Sequence, residues 1–392
     1  MKRVLLAWEL GGGIGYTGWL IAIAKGLQAQ GCETVLALRE LEPCIHQFAF
    51  IDCPVVAAPV APGFRPPRVR REGFHPCGFA DLMMANGFGQ THELHALVRA
   101  WRGLIDLVRP DLIVGAYSPV LGVAAYGRVP LAIIGYGYTT PPADQATFPL
   151  FRHNRKPYAD QDELLARVRR VQGAVGAPEP QQLTDIYKGD GRFILSFDEL
   201  DPYLGVRNEK LVGPLEPLGE IPPLPFAPRF YAYLLGDQPF VPKVVEALAQ
   251  SGLPGAIYLR NGKMAPPPGL AENGVEWLTR PPPLSEATAS ATIMVHHGGA
   301  NSVHAALAAG RQQILLPRNL DQVIMAERAS ALGLARKLER IEAASKVGES
   351  LRALAVDGEG LQRAGDFARL VRERGQHDAL PAIVEACLKL LH

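Results

Sequence analysis

Short apolar runs alternate with amphipathic stretches along most of the chain. Short apolar runs bounded by turn residues are typical of strands that are buried on both faces, and the amphipathic stretches repeat apolar residues at the spacing of an α-helix. This alternation predicts parallel sheets joined by crossover helices, which is the α/β class. In the first half of the chain the predicted strands are Val4–Ala7, Thr34–Leu38, Leu112–Val114, Leu131–Ile134 and Phe193–Ser196.

The alternation is interrupted twice. Residues 54–89 are irregular and rich in proline, glycine, arginine and aromatic residues, which favours a functional loop over scaffold. Residues 213–230, GPLEPLGEIPPLPFAPRF, have the composition of a stiff linker between two domains. Beyond this linker the predicted elements are strands Phe230–Leu235, Ala256–Leu259, Ile293–Val295 and Ile314–Leu316, and helices Lys243–Gln250, from Asn301, and Ala379–Leu391.

Composition and charge argue against several kinds of partner. The chain has 392 residues and a formal net charge of +1, so it has no general attraction to nucleic acid or to an anionic membrane. It contains no apolar run long enough for a membrane span. The five cysteines form no C-x-x-C pair, which predicts reduced thiols, no metal site and a cytoplasmic location. Nothing in the sequence decides the oligomeric state.

The first predicted strand leads into the pattern G-x-G-x-x-G at residues 13–18. A helix with an expected N-cap at Thr17 follows, and its apolar face is formed by Leu20, Ile23, Ala24 and Leu27. Such a turn can hold the pyrophosphate of a dinucleotide, and Glu40 could then hold a ribose or Arg39 a 2′-phosphate. The alternative is that the glycines only permit a tight turn. From this stretch alone both interpretations stay open.

A second glycine turn, in the stretch VHHGGANS, carries more information. The strand Ile293–Val295 ends at His296 and His297, and a helix begins close to Asn301. Glycines at a helix N-terminus leave backbone N–H groups exposed, which creates an anion site that needs no metal. His297 can add a hydrogen bond or a positive charge, and Asn301 and Ser302 add donors. The pattern predicts a phosphate site.

Two further polar residues follow the next predicted strand. Asp321 and Gln322 come shortly after Pro317, on the same carboxyl edge of the sheet, where open α/β sheets bind their ligands. A carboxylate accepts hydrogen bonds from two hydroxyls, and a carboxamide both accepts and donates. A phosphate site beside a hydroxyl-binding pair predicts a site for a nucleotide sugar.

These two motifs, H-G-G-x-N-S and P-x-x-x-D-Q, resemble the donor motif of the UDP-glycosyltransferase superfamily, whose members are inverting enzymes of GT-B fold. The resemblance is strong over Trp277–Gln322 and weaker over Leu20–Thr34, RPDLIVGAYSP (109–119) and ELDPYLGVRNEKLVGP (199–214). It implies two Rossmann-like domains facing across a cleft. Residues 1–214 would then bind the acceptor, residues 228–375 the nucleotide sugar, and residues 376–392 would form a helix that packs back on the first domain.

The resemblance also implies roles for individual residues. The diphosphate would be held by His297, Gly298, Gly299, Asn301 and Ser302, the sugar hydroxyls by Asp321 and Gln322, and the base would face Thr279, Arg280 and Pro281. The glutamate that usually binds the ribose falls at Ala305, so that contact is missing or is supplied by His304. The first glycine turn would help to shape the acceptor side and would bind no dinucleotide. Residues expected on the acceptor side are Gly13, Gly15, Phe79 and Met83.

The catalytic dyad of the family is absent. Its histidine position is Tyr16 and its aspartate position is Ala116. A tyrosine with a pKa near 10 is a poor base at neutral pH. Three interpretations follow: another group is the base, the acceptor needs little activation, or the protein binds a nucleotide sugar without transferring it. Candidate bases are Tyr16 itself, Glu9 at the end of the first strand, His75, Asp81, His92, His95 and Asp144.

The expected reaction is the transfer of a sugar from a UDP- or dTDP-sugar to a small-molecule acceptor, with inversion and without a metal or cofactor. Asp160 and Asp162 match the D-x-D pattern of metal-dependent glycosyltransferases, but they open a charged helix, where a helix cap is expected. Apolar residues of the irregular segment, including Phe79 and Met83, suggest a hydrophobic acceptor. A non-catalytic binding protein and a sugar-nucleotide epimerase are the alternatives.

Overall fold

The computed structural model describes residues 1–12, 15–61, 73–262, 264–376 and 378–391. The chain divides into two compact units, each with its own sheet. Unit 1 comprises Met1–Leu195, Tyr203–Leu215 and Asp378–His392, and unit 2 comprises Ser196–Pro202 and Glu216–His377.

Each unit contains, within its described residues, a parallel sheet of six strands. The strands of unit 1 are β1 (Arg3–Trp8), β2 (Glu33–Leu38), β3 (Val55–Ala57), β4 (Leu112–Ala116), β5 (Leu131–Gly135) and β6 (Gly191–Ile194). The strands of unit 2 are β7 (Phe230–Leu235), β8 (Gly255–Arg260), β9 (Val275–Leu278), β10 (Ile293–His296), β11 (Gln312–Leu315) and β12 (Ala335–Lys337). The sheet orders are β3-β2-β1-β4-β5-β6 and β12-β11-β10-β7-β8-β9, which are one doubly wound order used twice.

Helices connect the strands in both units. The helices of unit 1 are α1 (Gly15–Ala29), α2 (Ile45–Phe48), α3 (Phe79–Met83), α4 (Thr91–Val108), α5 (Pro119–Ala125), α6 (Gln161–Ala174) and α13 (Ala379–Leu390). The helices of unit 2 are α7 (Val241–Ala249), α8 (Leu284–Ser290), α9 (Ala300–Ala308), α10 (Leu320–Ala331), α11 (Ala343–Ala355) and α12 (Gly358–Glu373).

The predicted α/β class and its main strands are confirmed, with ends that differ by a few residues. The strands β3, β9 and β12 were not predicted. Each of them lies at an edge of its sheet and is partly exposed. The sequences of β9 and β12 therefore lack the continuous apolar run of a central strand, and β3, although apolar, is only three residues long.

Helix α1 illustrates both a correct and a wrong prediction. The predicted apolar face is fully buried: Leu20, Ile23, Ala24 and Leu27. Thr17, however, is not the N-cap. The helix begins at Gly15, and Thr17 is buried inside it with its hydroxyl 3.1 Å from the Cys44 thiol.

The C-terminal helix α13 packs against α1 within unit 1. A Cβ atom added to Gly26 of α1 would lie 2.6 Å from Cγ2 of Val384. Only a residue without a side chain permits this close approach of the two helices.

The segment 54–89 is more regular than its composition indicates. It contains the edge strand β3 and helix α3, and residues 62–72 lie outside the described part of the chain. Phe79 and Met83 of α3 are fully buried, and the Phe79 ring stacks on Tyr187 at 5.0 Å. The prediction that these two side chains line an acceptor surface is therefore wrong, because they form part of the core of unit 1.

Candidate active site

The carboxyl edge of the unit 2 sheet brings together polar residues from several strands. In an open parallel sheet this is the edge at which ligands bind. Residues found there are Asp237 after β7, Arg260 at the end of β8, His297 to Gly299 after β10, Arg318 after β11 and Arg340 after β12. The site therefore includes four charged residues that the motif analysis did not single out.

The N-terminus of α9 presents open hydrogen-bond donors. Gly298 turns the chain with φ of +80°, a conformation that favours glycine, and Gly299 is the N-cap. No hydrogen bond joins the N–H groups of Gly299, Ala300, Asn301 or Ser302 to another described residue, and the side chains of Asn301 and Ser302 are likewise without a described partner. These groups and the helix dipole form the predicted anion site.

His297 does not have the role that the motif predicts. Its Nε2 accepts the backbone N–H of Leu235 at 2.9 Å, and its Nδ1 donates to the carbonyl oxygen of Leu316 at 2.8 Å. Both ring nitrogens are thus used by the main chain, which fixes a neutral tautomer. Burial lowers the pKa of His297 to about 4, against the opposing effect of the Leu316 hydrogen bond. The expectation that this ring supplies a positive charge or a free donor to a phosphate is therefore wrong.

The neighbouring histidines are also structural. Nδ1 of His296 accepts the N–H of Gly298 at 3.1 Å, and its Nε2 lies 3.0 Å from Oε1 of Gln313. His304 is buried, with its Nε2 3.3 Å from the Ser196 hydroxyl and its ring edge-on to Phe197. Burial lowers the pKa of both rings to about 4. This placement of His304 favours the alternative in which the ribose contact of the family is missing.

Asp321 and Gln322 lie in the first turn of α10, close to the glycine turn. A Cβ added to Gly298 would lie 3.4 Å from the carbonyl oxygen of Gln322. Oε1 of Gln322 accepts the N–H of Arg318 at 2.9 Å, so this side chain also holds the loop after β11. Both residues are half-buried. The structure thus brings the two predicted motifs together at one sheet edge.

Arg318 is the most unusual of the charged residues at this edge. Burial lowers its pKa, and its Nε atom is buried without a hydrogen-bond partner. Asp237, Arg340, Asp321 and Arg260 are the charges that act on it. The signal that could have revealed it is its position inside the motif itself, directly after Pro317 and at the end of a strand.

Thr279, Arg280 and Pro281 follow the edge strand β9 at the same carboxyl edge and are exposed. No hydrogen bond fixes their side chains to another described residue. Their contact with a base stays a prediction.

In unit 1, Glu9 points into the protein. Its carboxylate oxygens accept the N–H groups of Val120 and Leu121 at 3.2 and 3.0 Å, so Glu9 caps α5 from a neighbouring strand. Burial raises the pKa of Glu9 to about 8, although both hydrogen bonds oppose the rise. Arg39 donates to the carbonyl oxygen of Glu9 at 3.0 Å, which gives this arginine a structural contact. Glu9 is 1% exposed and therefore does not border a binding surface.

Tyr16 belongs to an aromatic cluster above the sheet of unit 1. Its ring stacks on Trp8 at 5.4 Å, and its hydroxyl lies 3.4 Å from the hydroxyl of Tyr136. Ala116, at the position where the family has an aspartate, is fully buried. Gly15 is the exposed first residue of α1, whereas Gly13 lies outside the described residues.

The remaining candidate bases lie at different places. His75 is exposed, and its backbone N–H donates to the Tyr158 hydroxyl at 3.3 Å. Asp144 is exposed and accepts from Nδ2 of Asn208 at 2.7 Å. Asp81 is fully buried and accepts the N–H groups of Cys77, Tyr158 and Ala159, each at 2.7 Å. Asp81 is therefore a structural residue that joins two loops of unit 1.

The expected helix cap at the D-x-D pattern is confirmed. Asp160 accepts the N–H groups of Asp162 and Glu163 at 2.9 and 3.2 Å. His92 and His95 lie on α4, where His92 is exposed and His95 is half-buried.

Among the described residues, no group of three or more His, Cys, Asp or Glu side chains is placed to hold a metal ion. None of the helices in the described part of the chain is long and apolar enough to cross a membrane.

Sequence comparison identifies one matching family and one curated relative, each over part of the chain. Residues 275–384 match the family described as Erythromycin biosynthesis protein CIII-like, C-terminal domain. The chain is 30% identical over 135 residues to the NDP-glycosyltransferase YjiC of Bacillus subtilis (strain 168). This alignment covers 34% of the chain and 34% of YjiC, so the match spans about a third of that relative.

Structural comparison extends over the whole chain. CalG4, the calicheamicin glycosyltransferase, is similar with a TM-score of 0.71 and 20% identity, over 99% of this chain and 98% of its own. SsfS6, a glycosyltransferase of Streptomyces sp. SF2575 complexed with thymidine diphosphate, has a TM-score of 0.63 and 16% identity, over 99% of this chain and 100% of its own. Two six-stranded sheets of this order and an open helix N-terminus in the second unit define a protein of the GT-B class. The comparisons therefore show the GT-B fold for the whole chain and relate residues 275–384 to the family described as Erythromycin biosynthesis protein CIII-like, C-terminal domain.

Proposed function

We propose that the protein transfers a sugar from a UDP- or dTDP-sugar to a small-molecule acceptor, with inversion at the anomeric carbon and without a metal. The observation that carries this proposal is the row of open N–H groups at the N-terminus of α9, next to Asp321 and Gln322. The thymidine diphosphate held by SsfS6, a protein of the same fold, supports a nucleoside diphosphate as the ligand. We propose the cytoplasm as the place of reaction, in keeping with the five free cysteines.

In this proposal unit 2 binds the donor. The N–H groups of residues 299–302 bind the diphosphate, and Asn301 and Ser302 add side-chain donors. Fixed donors of this kind stabilise the negative charge that develops on the leaving diphosphate. Asp321 accepts hydrogen bonds from sugar hydroxyls, and the amide nitrogen of Gln322 donates one, since its oxygen is already used by Arg318.

In this proposal the acceptor is not activated by a histidine and aspartate dyad of the kind that the family uses. Glu9 is buried against α5, and Tyr16 lies in an aromatic cluster with Tyr136. We propose that the acceptor carries a nucleophile acidic enough to react with little help from a base. Positioning and leaving-group stabilisation then supply most of the rate.

The test combines nucleotide binding with turnover. Isothermal titration with UDP and dTDP is compared between the unaltered protein and Asn301→Asp, which places a negative charge at the phosphate site. The matched control is Asn273→Asp, an exposed residue in the turn before β9 at the opposite end of the strands. We expect Asn301→Asp to weaken binding at least about tenfold and the control to leave it unchanged. Equal affinity in all three proteins overturns the proposed donor site.

One observation favours a second candidate, a protein that binds a nucleotide sugar and transfers nothing. Tyr16 and Ala116 replace both members of the dyad that activates acceptors in the family. Release of UDP or dTDP from a nucleotide sugar in the presence of any acceptor excludes this alternative. Solvent proton exchange on the donor sugar without an acceptor would instead indicate an epimerase.

A further inference from the structure

The proposed donor site lacks the cation that its motif leads one to expect. His297 is neutral, and both of its nitrogens bond the main chain of Leu235 and Leu316. A departing nucleoside diphosphate accumulates negative charge, and backbone N–H groups provide only partial positive charge. A cation from another position at the same sheet edge would therefore add to the stabilisation that the N–H groups provide.

Three arginines are available at that edge, and one of them already has a hydrogen-bond partner. Nε of Arg340 donates to the carbonyl oxygen of Pro317 at 3.3 Å. Burial raises the pKa of Tyr233, and the charge of Arg260 opposes this rise. The guanidinium of Arg318 has no hydrogen bond or ion pair with a described residue, and Arg318 differs from the other two because its Nε is buried without a partner.

The backbone of Arg318 is held in place although its guanidinium is not. Its N–H donates to Gln322 at 2.9 Å, and Gln322 in turn lies against Gly298 at the start of the α9 turn. Arg318 also acts electrostatically on His297, the residue that follows β10. An arginine held beside an open helix N-terminus with an unsatisfied donor is suited to bind phosphate oxygens in a bidentate manner.

We propose that Arg318 is a catalytic residue that binds the diphosphate of the donor and neutralises it as it leaves, in place of the motif histidine. This inference rests on the proposed function. In the reaction the bond between the anomeric carbon and the phosphate oxygen breaks, and its electron pair stays on that oxygen. The acceptor oxygen forms the new bond to the anomeric carbon and releases its proton to solvent. Arg318 keeps its proton throughout and pairs with the charge of the leaving group.

The test compares Arg318→Gln and Arg318→Lys with the unaltered protein in titrations with UDP, UMP, dTDP and dTMP. The control variant is Arg336→Gln, which removes an exposed arginine of β12. Arg318→Gln is expected to weaken the binding of UDP and dTDP about tenfold or more and the binding of UMP and dTMP much less. The preference of the protein for diphosphates over monophosphates should therefore become smaller. Arg318→Lys should recover part of it because charge is retained, and Arg336→Gln should change nothing. Melting curves without ligand verify that each variant is folded.

Turnover gives a second measurement. Because the contact strengthens as the leaving group gains charge, Arg318→Gln should lower kcat by about 100-fold and affect the donor KM less. If UDP and dTDP bind the unaltered protein and Arg318→Gln leaves both affinities and kcat unchanged, this inference is overturned and the proposed function stands. If no nucleotide binds the unaltered protein, the proposed function itself is overturned, and the inference with it.

Discussion

The backbone N–H of Leu235 donates a hydrogen bond to Nε2 of His297 over 2.9 Å. The opposite nitrogen of the same ring donates to Leu316, so one imidazole joins the ends of β7, β10 and β11. A residue that looks like a ligand-binding group in the sequence thus fixes the backbone of the loops around the site. Its loss is expected to act first on the structure of unit 2 and only then on ligand binding.

The substitution His297→Ala should lower the free energy of unfolding by about 2 kcal/mol or more, because two buried backbone groups lose their partners. His297→Asn should be milder, since its amide nitrogen can replace Nδ1 as the donor to Leu316. Thermal and urea unfolding measure both effects. A His297→Ala protein with unchanged stability but lost turnover would contradict the structural role. It would indicate instead that the His297 ring takes part in the reaction.

Acid should destabilise unit 2. His296, His297 and His304 have pKa values of about 4 in the folded protein, below the ordinary value of 6.5. The unfolded chain therefore binds more protons than the folded one between these values. The contribution of the three rings to stability is complete above about pH 6.5 and is lost as the pH falls towards 4. The expected loss is about 1.4 kcal/mol per pH unit for each such ring.

His304→Gln tests this assignment, since it removes one of the three rings while keeping a polar partner for Ser196. The dependence of urea unfolding on pH between 7 and 5 should become shallower in this variant. The control is His153→Gln, which replaces an exposed histidine of unit 1. Identical slopes in both variants and the unaltered protein would argue against the buried neutral ring.

Glu9 should give the stability of unit 1 the opposite dependence on pH. Its pKa rises from 4.5 to about 8 on folding, mainly because of burial. The folded state then binds more protons than the unfolded state between these values, so its contribution to stability is greatest below about pH 4.5 and is lost as the pH rises to 8. The expected slope is about 1.4 kcal/mol per pH unit.

The substitution Glu9→Gln removes the titrating group and keeps an oxygen for one of the two N–H groups of α5. The decline of stability between pH 6 and pH 8 should disappear in this variant, as measured by chemical unfolding. Glu42→Gln, at an exposed position of unit 1, serves as control. A decline that persists in Glu9→Gln would show that another group causes it.

Asp321→Asn should weaken the proposed contact with the donor sugar. Hydrogen bonds to a charged group contribute about 1.5–3 kcal/mol, which corresponds to a roughly tenfold to hundredfold loss in kcat/KM for the donor. Affinity for the free nucleoside diphosphate should stay close to that of the unaltered protein, because the nucleotide lacks the sugar hydroxyls. The exposed Asp366→Asn on α12 is the control. An equal loss for the free diphosphate and the sugar donor would place Asp321 at the phosphates instead.

The sequence by itself determined the fold class and the position of the site. Apolar runs and helical spacing are local properties, so the central strands and the buried face of α1 could be predicted from them. Edge strands such as β12 lack this signal because they are partly exposed. The H-G-G-x-N-S motif likewise predicted an open helix N-terminus, since glycine at a strand-to-helix turn has a local consequence for the backbone.

Only the tertiary structure decided which side chains are available for chemistry. The partner of Nε2 in His297 is a backbone group 62 residues earlier, and the carboxylate of Glu9 is used by groups more than 100 residues later. Arg318, by contrast, is left with a buried donor that no described residue satisfies. Hydrogen-bond partners that lie far apart in the chain depend on how strands and loops meet in space. For that reason the motif predicted the place of the candidate site, but only the folded structure decided which of its side chains keep open donors.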